Sequence, residues 1–213
     1  IVPSYIFYSK KDSATWINST TFPKVFKLRG GAGAVNVKLV KNKKEAYKLV
    51  KKAFNKGFKP SDSWASLNDR ILRWTRGQAS FIHVIKGVLK LFFPSEINRK
   101  SHNERGYTYF QDFMPGNNHD IRICVVDNKA FGIKRLTRDK DFRASGSGNI
   151  VYDKNQLDER CVIIAFEIAK KLKTQSIAFD FIYTKNNEPL IVEISYGFSK
   201  DAYYKCEGYW TDD

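Results

Sequence analysis

A chain of 213 residues with 42% hydrophobic and 15% aromatic residues is long and apolar enough for a sizeable core, which excludes a disordered polypeptide. Its formal net charge of +15 selects for anionic partners: nucleotides, nucleic acid, phosphorylated lipids or anionic glycans. Cys124, Cys161 and Cys206 show no metal-type or paired spacing, and His83, His102 and His119 do not cluster, which points to reduced thiols, a cytoplasmic compartment and no His/Cys metal centre.

The chain opens Ile1-Val-Pro-Ser4 and not with Met, as a fragment or excised domain would. No apolar run approaches the ~20 residues of a membrane span. Pro23 to Leu28 reads as a short apolar strand, followed by the glycine-rich loop Gly30-Gly31-Ala32-Gly33 and an alternating strand over Val35 to Val40. From Lys43 to Asn55, Ala46, Leu49, Val50, Ala53 and Phe54 fall at helical spacing, with Gly57 as the stop.

Residues 59–105 differ in character. Leu67, Ile71, Trp74, Phe81, Ile85, Val88 and Phe92 form one stripe at spacings of three and four, among arginines and lysines. This predicts a basic amphipathic helix, broken at Gly77 or Gly87 and stopped by Pro94. Packing against the domain or a partner subunit is the favoured reading, because most amphipathic helices face a core; docking on an anionic membrane surface is the alternative.

From Gly106 the strand pattern returns. Tyr107 to Phe113 is rich in strand formers, and Pro115-Gly-Asn-Asn118 is a turn cluster. Ile121–Val126 and Ala130–Lys134 flank Asp127-Asn128, and centring a hairpin there places Asp120 opposite Arg135. A helix is predicted over residues 155–173, with Val162, Ala165, Phe166, Ala169 and Leu172 inward. Ile177–Tyr183 and Leu190–Ser195 then alternate as two strands. A turn centred on Asn186-Asn187 puts Asp180 directly opposite Glu193 on one face. Two carboxylates so placed repel one another, and a shared Mg²⁺ would reverse the sign.

Single features are weak signals. Lys27 before a glycine-rich loop suits phosphate, but the loop has neither Walker nor dinucleotide-binding spacing. Gln111-Asp112-Phe113-Met114 ends a strand at a turn, where backbone groups would meet an adenine ring. Arg135 and Arg143 precede the carboxylate hairpin, where guanidinium groups would stabilise charge in phosphoryl transfer. The order of the parts is more specific: P-K-V-F-K, glycine-rich loop, F-Q-D-F-M-P-G, D-I-R, K-R, D-F-R-A-S, A-F-D-F and V-E-I-S.

That order resembles the ATP-grasp superfamily, particularly its ribosomal-protein glutamate ligase branch and the ATP-grasp proteins of bacterial capsule and surface-polysaccharide clusters. The resemblance covers residues 1–57 and 104–199. It implies an α+β ATP-grasp fold with two lobes gripping ATP: a first grasp lobe over 1–57, a helical insertion over 58–105 and a second grasp lobe over 106–213, the preceding N-terminal lobe being absent. By resemblance, Lys27, Gly30, Gly31, Gly33 and Lys134 contact the nucleotide phosphates, Gln111, Asp112, Phe113 and Met114 border adenine, and Asp120 lies near the ribose. Arg135 and Arg143 take the catalytic positions around the phosphates and the reacting carboxylate. Asp180 and Glu193 match the Mg²⁺ carboxylates, and Ser195 stands where the third ligand is usually Asn.

The expected activity is ATP-dependent carboxylate–amine ligation through an acyl phosphate, in surface-polysaccharide or peptide modification, with ATP and Mg²⁺ as cofactors and a small-molecule or glycan-linked acid and an amine as substrates. A nucleotide- or anionic-glycan-binding module without ligation is the alternative. No motif for specific nucleic-acid binding is present. The implied location is cytoplasmic, with peripheral contact at the inner membrane face if the basic helix docks there.

Overall fold

The computed structural model describes residues 1–29, 36–59, 67, 71, 74–75, 80–92, 102–139 and 141–212. Two compact units emerge, one built from Ser4–Phe113 and the other from Ile1–Pro3 with Met114–Asp213.

In the first unit, β1 (Ser4–Phe7), β2 (Lys24–Lys27), β3 (Lys38–Val40) and β4 (Thr108–Asp112) form an antiparallel sheet in the order β1-β4-β2-β3. Helices α1 (Lys10–Ser19) and α2 (Lys43–Phe54) pack on one face. Their core includes Ile17, Phe26, Val40, Val50, Phe58 and Phe110. Asn42 caps α2 by accepting from the Glu45 N–H at 3.0 Å, and Glu45 in turn accepts from the Lys41 N–H at 2.8 Å. Gly57 ends it with φ +72, and its N–H donates to the Lys52 carbonyl at 2.8 Å. β4 pairs with β1 and β2, so this strand belongs to the first sheet and the division falls after Phe113, past the expected boundary at residue 105.

α1 escaped the periodicity argument because its inward face carries Ser13 beside Ile17. The Ser13 hydroxyl is buried and hydrogen-bonds that of Thr108 at 2.9 Å, a polar contact that hydrophobic spacing does not report.

Helix α3 (Phe81–Phe92) runs through Gly87 without a break. Gly77 and Pro94, the other expected interruptions, lie outside the described residues. Of the stripe residues that the structure describes, Leu67 is buried. Phe81, Ile85 and Val88 are exposed, whereas Val84 and Gly87 are buried.

The second unit is an antiparallel sheet of β5 (His119–Val126), β6 (Lys129–Leu136), β7 (Ile150–Val151), β8 (Ser176–Tyr183), β9 (Pro189–Ser195) and β10 (Trp210–Thr211). Its order is β10-β6-β5-β8-β9, with β7 also on β6. Helix α4 (Glu159–Leu172) covers one face. Ile121, Ile123, Phe179 and Phe181 on the strands meet Val162, Ala165, Phe166 and Ala169 on the helix. Burying each phenylalanine contributes about 2–3 kcal/mol. Asp158 caps α4, and Lys173 ends it at φ 53. Leu172, expected inward, is 48% exposed at the last position of the helix.

Candidate functional site

The face of the second sheet opposite α4 carries charge. Side chains alternate along a strand, so Asp120 and Arg122 share this face of β5, as do Arg135 on β6 and Asp180 on β8. The register brings them together, with Asp120 opposite Arg135 and Arg122 opposite Asp180. Arg135 donates from Nε and Nη2 to the two Asp120 oxygens at 2.7 Å each, and from Nη2 to Asp180 Oδ2 at 2.7 Å. Arg122 donates from Nη2 to Asp180 Oδ2 at 2.8 Å and from Nε to Asp180 Oδ1.

The network is almost sealed from solvent, with Asp120, Arg135 and Asp180 all buried. Burial by itself would raise the Asp180 carboxyl, but the Arg135 and Arg122 guanidiniums overcome it and hold the group below the usual carboxylate range. Burial pushes Asp120 up to about 6; Arg135 pulls against that rise and Asp180 adds to it. Tyr203, in a 3₁₀ turn over Lys200–Tyr203, lies in the field of Arg122, Asp180 and Cys124. Its phenol is pushed up by burial first and by Cys124 second.

Glu193 is the Cα partner of Asp180 and is exposed, while Ser195 lies two residues further along the same face. The Ser195 hydroxyl donates to the Gly197 carbonyl at 2.8 Å, which leaves oxygen lone pairs for a ligand. Among the described residues no group of three or more His, Cys, Asp or Glu side chains is arranged to hold a metal. Magnesium held largely by phosphate oxygens does not require such a cage, and Glu193 with Ser195 suits that mode. Asp180 fits it with one reservation of chemistry: both its oxygens already accept from guanidinium groups.

The other expected site residues separate. Lys134 neighbours Arg135 in sequence but points to the opposite, α4 side, opposite Ile121 on β5, because consecutive strand residues alternate. It therefore does not join the Arg135 cluster. There it depresses His119, after burial, which is the larger cause. A cleft of about 490 Å³ opens on that side, lined by His119, Ile121, Tyr183, Asp158 and Lys185 among others. Arg143 lies in the loop after β6, and its Nη2 donates to Asp141 Oδ2 at 2.8 Å.

In the first unit, Lys27 ends β2 opposite Tyr109. Gln111 is buried and donates from Nε2 to Ser4 Oγ at 3.0 Å. Asp112 forms an ion pair within its own sheet. It accepts from Lys24 Nζ at 2.6 Å on the face that bears Phe110 and α1, whereas Lys27 and Gln111 lie on the other face. Phe113 and Met114 fall on either side of the division between units. Gly30, Gly31 and Gly33 lie outside the described residues.

Arg122 had no role in the sequence reading, although Asp-Ile-Arg spacing alone places Asp120 and Arg122 on one face. Its partner on β8 becomes visible only with the β5–β8 register.

Residues 104–204 match the RimK-like ATP-grasp domain family. No curated protein matches the chain. Among solved structures, the biotin carboxylase domain of Hydrogenobacter thermophilus 2-oxoglutarate carboxylase, in complex with MgADP, ADP and bicarbonate, aligns at TM-score 0.55 and 11% identity over 94% of this chain and 37% of that one. Campylobacter jejuni biotin carboxylase, in an ATP complex, gives 0.53 and 12% over 94% and 37%. A Chryseobacterium gregarium RiPP-associated ATP-grasp ligase, in complex with ADP and a leader and core peptide, gives 0.50 and 10% over 91% and 46%. The chain spans less than half the length of each. These likenesses establish the ATP-grasp fold, as the sequence resemblance implied.

Proposed function

We propose that this ATP-grasp chain is the nucleotide-binding and catalytic part of a carboxylate–amine ligase. In the proposed reaction, ATP phosphorylates a substrate carboxylate to an acyl phosphate, and an amine displaces phosphate to form an amide. The observation that carries the reading is the pairing of Asp180 with Glu193 on the charged sheet face opposite α4, within the RimK-like segment.

Glu193, Ser195 and a freed oxygen of Asp180 would hold Mg²⁺, which neutralises charge on the transferring phosphates when bound. Asp120 fixes Arg135, and Arg135 with Arg122 orients the Asp180 carboxylate, so we assign Arg135 a positioning role. Arg143, half-buried in its loop and steadied by Asp141, is the guanidinium we assign to the acyl phosphate or the tetrahedral oxyanion. Lys27 retains a phosphate-contacting assignment, and the backbone of Gln111–Met114 an adenine-bordering one, on resemblance alone. We further propose a peptide- or glycan-linked substrate; the peptide-bound Chryseobacterium ligase of the same fold supports the first of these.

The test is Mg²⁺-dependent ADP release from the purified chain with panels of carboxylic acids and amines. Release that requires both substrates, and that Glu193→Gln removes, supports ligation. Nucleotide binding without release favours the second reading, a nucleotide- or anionic-glycan-binding module. The double guanidinium hold on Asp180 is the observation that favours that reading.

A further inference from the structure

Helix α3 presents an apolar surface that the described residues leave uncovered. Phe81, Ile82, Ile85, Val88 and Leu89 are 38–58% exposed. At 3.6 residues per turn these five positions span an arc of about 120°. Val84 and Gly87, the buried residues, occupy a separate arc. Lys86 and His83 are exposed beyond the edge of the apolar arc. Residues 81–92 contain two lysines, Lys86 and Lys90, and no acidic residue. Next to the start of the helix, Trp74 is 43% exposed and its ring lies 5.1 Å from that of Phe81.

This pattern differs from a core-facing helix, in which the widest apolar arc is the buried one. An apolar arc with a cationic edge and an indole at one end is the arrangement of a helix lying in a lipid headgroup layer. No helix among the described residues is long and apolar enough to cross a membrane. Charge selects the occupant. A second copy would bring another acid-free basic helix and a second charge of +15, which repel, whereas an anionic bilayer satisfies the lysines and the apolar arc together.

We propose that the exposed face of α3 is a peripheral docking surface for anionic lipid bilayers. Phe81, Ile82, Ile85 and Leu89 enter the headgroup–acyl boundary, and Lys86 stays at the level of the lipid phosphates. The proposal is independent of the ligase reading, because it needs neither nucleotide nor turnover.

The experiment is flotation of the purified chain with vesicles of phosphatidylcholine, with and without added phosphatidylglycerol. The expected result is binding to the anionic vesicles at low salt, weakened by high salt. Lys86→Glu should weaken it about tenfold, and Ile85→Glu with Leu89→Glu should abolish it. Because these residues are exposed, the variants should keep the wild-type melting curve and ADP release, which separates failure of docking from failure of the active-site assignment. Absence of flotation at low salt, equal flotation with neutral vesicles, or wild-type flotation by the double Glu variant would each overturn the proposal. So would concentration-dependent dimerisation that Ile85→Glu removes in a protein that does not bind vesicles.

Discussion

Asp180 faces Glu193 only because β9 carries one extra residue. Next to the turn the partners are Tyr183 with Pro189, Ile182 with Leu190 and Phe181 with Ile191; at Asp180 the register shifts and the partner is Glu193. A regular ladder would have placed Val192 there. The turn is also asymmetric, with Asn187 at φ 60 and the Asn187 N–H donating to the Thr184 carbonyl at 3.0 Å. The off-centre turn and the bulge offset each other, and bulges of this kind re-aim side chains beside active sites. Arg122 and Arg135 hold Asp180 on the side away from solvent, which offsets its repulsion with Glu193.

Glu193→Gln and Asp180→Asn should therefore behave differently. Glu193 is exposed, so its amide variant should change stability by less than about 0.5 kcal/mol while lowering Mg²⁺-dependent ADP release at least about a hundredfold. Asp180 is buried between two guanidiniums, and Asp180→Asn should cost about 3 kcal/mol of stability as well as activity. Urea melts run beside ADP-release assays check both.

Asp120 sets a pH dependence with a definite sign. Its folded-state pKa of about 6 lies above the ordinary 3.8, so the folded state holds the proton more tightly. That contribution is complete below the unfolded value and is lost as pH rises through about 6. Between about pH 5 and about pH 7.5 the wild type should lose about 1 kcal/mol relative to Asp120→Asn, measured by urea unfolding at both values. An unchanged difference would mean that Asp120 is ionised throughout.

Asp112→Asn tests whether its carboxylate serves the sheet or the nucleotide. Removing the ion pair with the buried Lys24 should cost about 1 kcal/mol or more in a thermal melt. ATP affinity by calorimetry should stay within about twofold, because the carboxylate lies on the α1 face.

Gly57→Ala should destabilise the first unit by more than about 1 kcal/mol. The φ of +72 strains an L side chain, and the new Cβ would sit 2.6 Å from the Glu104 backbone carbonyl oxygen, which cannot swing away. Gly106→Ala is the control, since a Cβ there meets nothing within 4 Å although its φ is also positive. The difference between the two melts isolates the close approach from the φ term.

Much of the second sheet was legible from turn chemistry. Asp127 at φ 55 in the β5–β6 turn yields the Asp120–Arg135 pairing that a turn at Asp127-Asn128 predicts. Other elements were not legible. β1 and β10 are four and two residues long, too short for an alternating pattern to register, and α1 buries a serine. What covers the α3 apolar face was not legible either, because periodicity identifies a stripe but says nothing about what stands opposite it.

The order of motifs, the two hairpin turns and the side of each strand on which a charge falls belong to the sequence alone, since they follow from local backbone preferences and the alternation of side chains. Tertiary structure decided the rest. Arg122 meets Asp180 through a pairing between β5 and β8, whose members stand 58 residues apart, and α4 packs on the side of the sheet away from Arg135 and Asp180. Such contacts depend on which surfaces meet after the chain has folded back on itself, and local sequence carries no term for that choice.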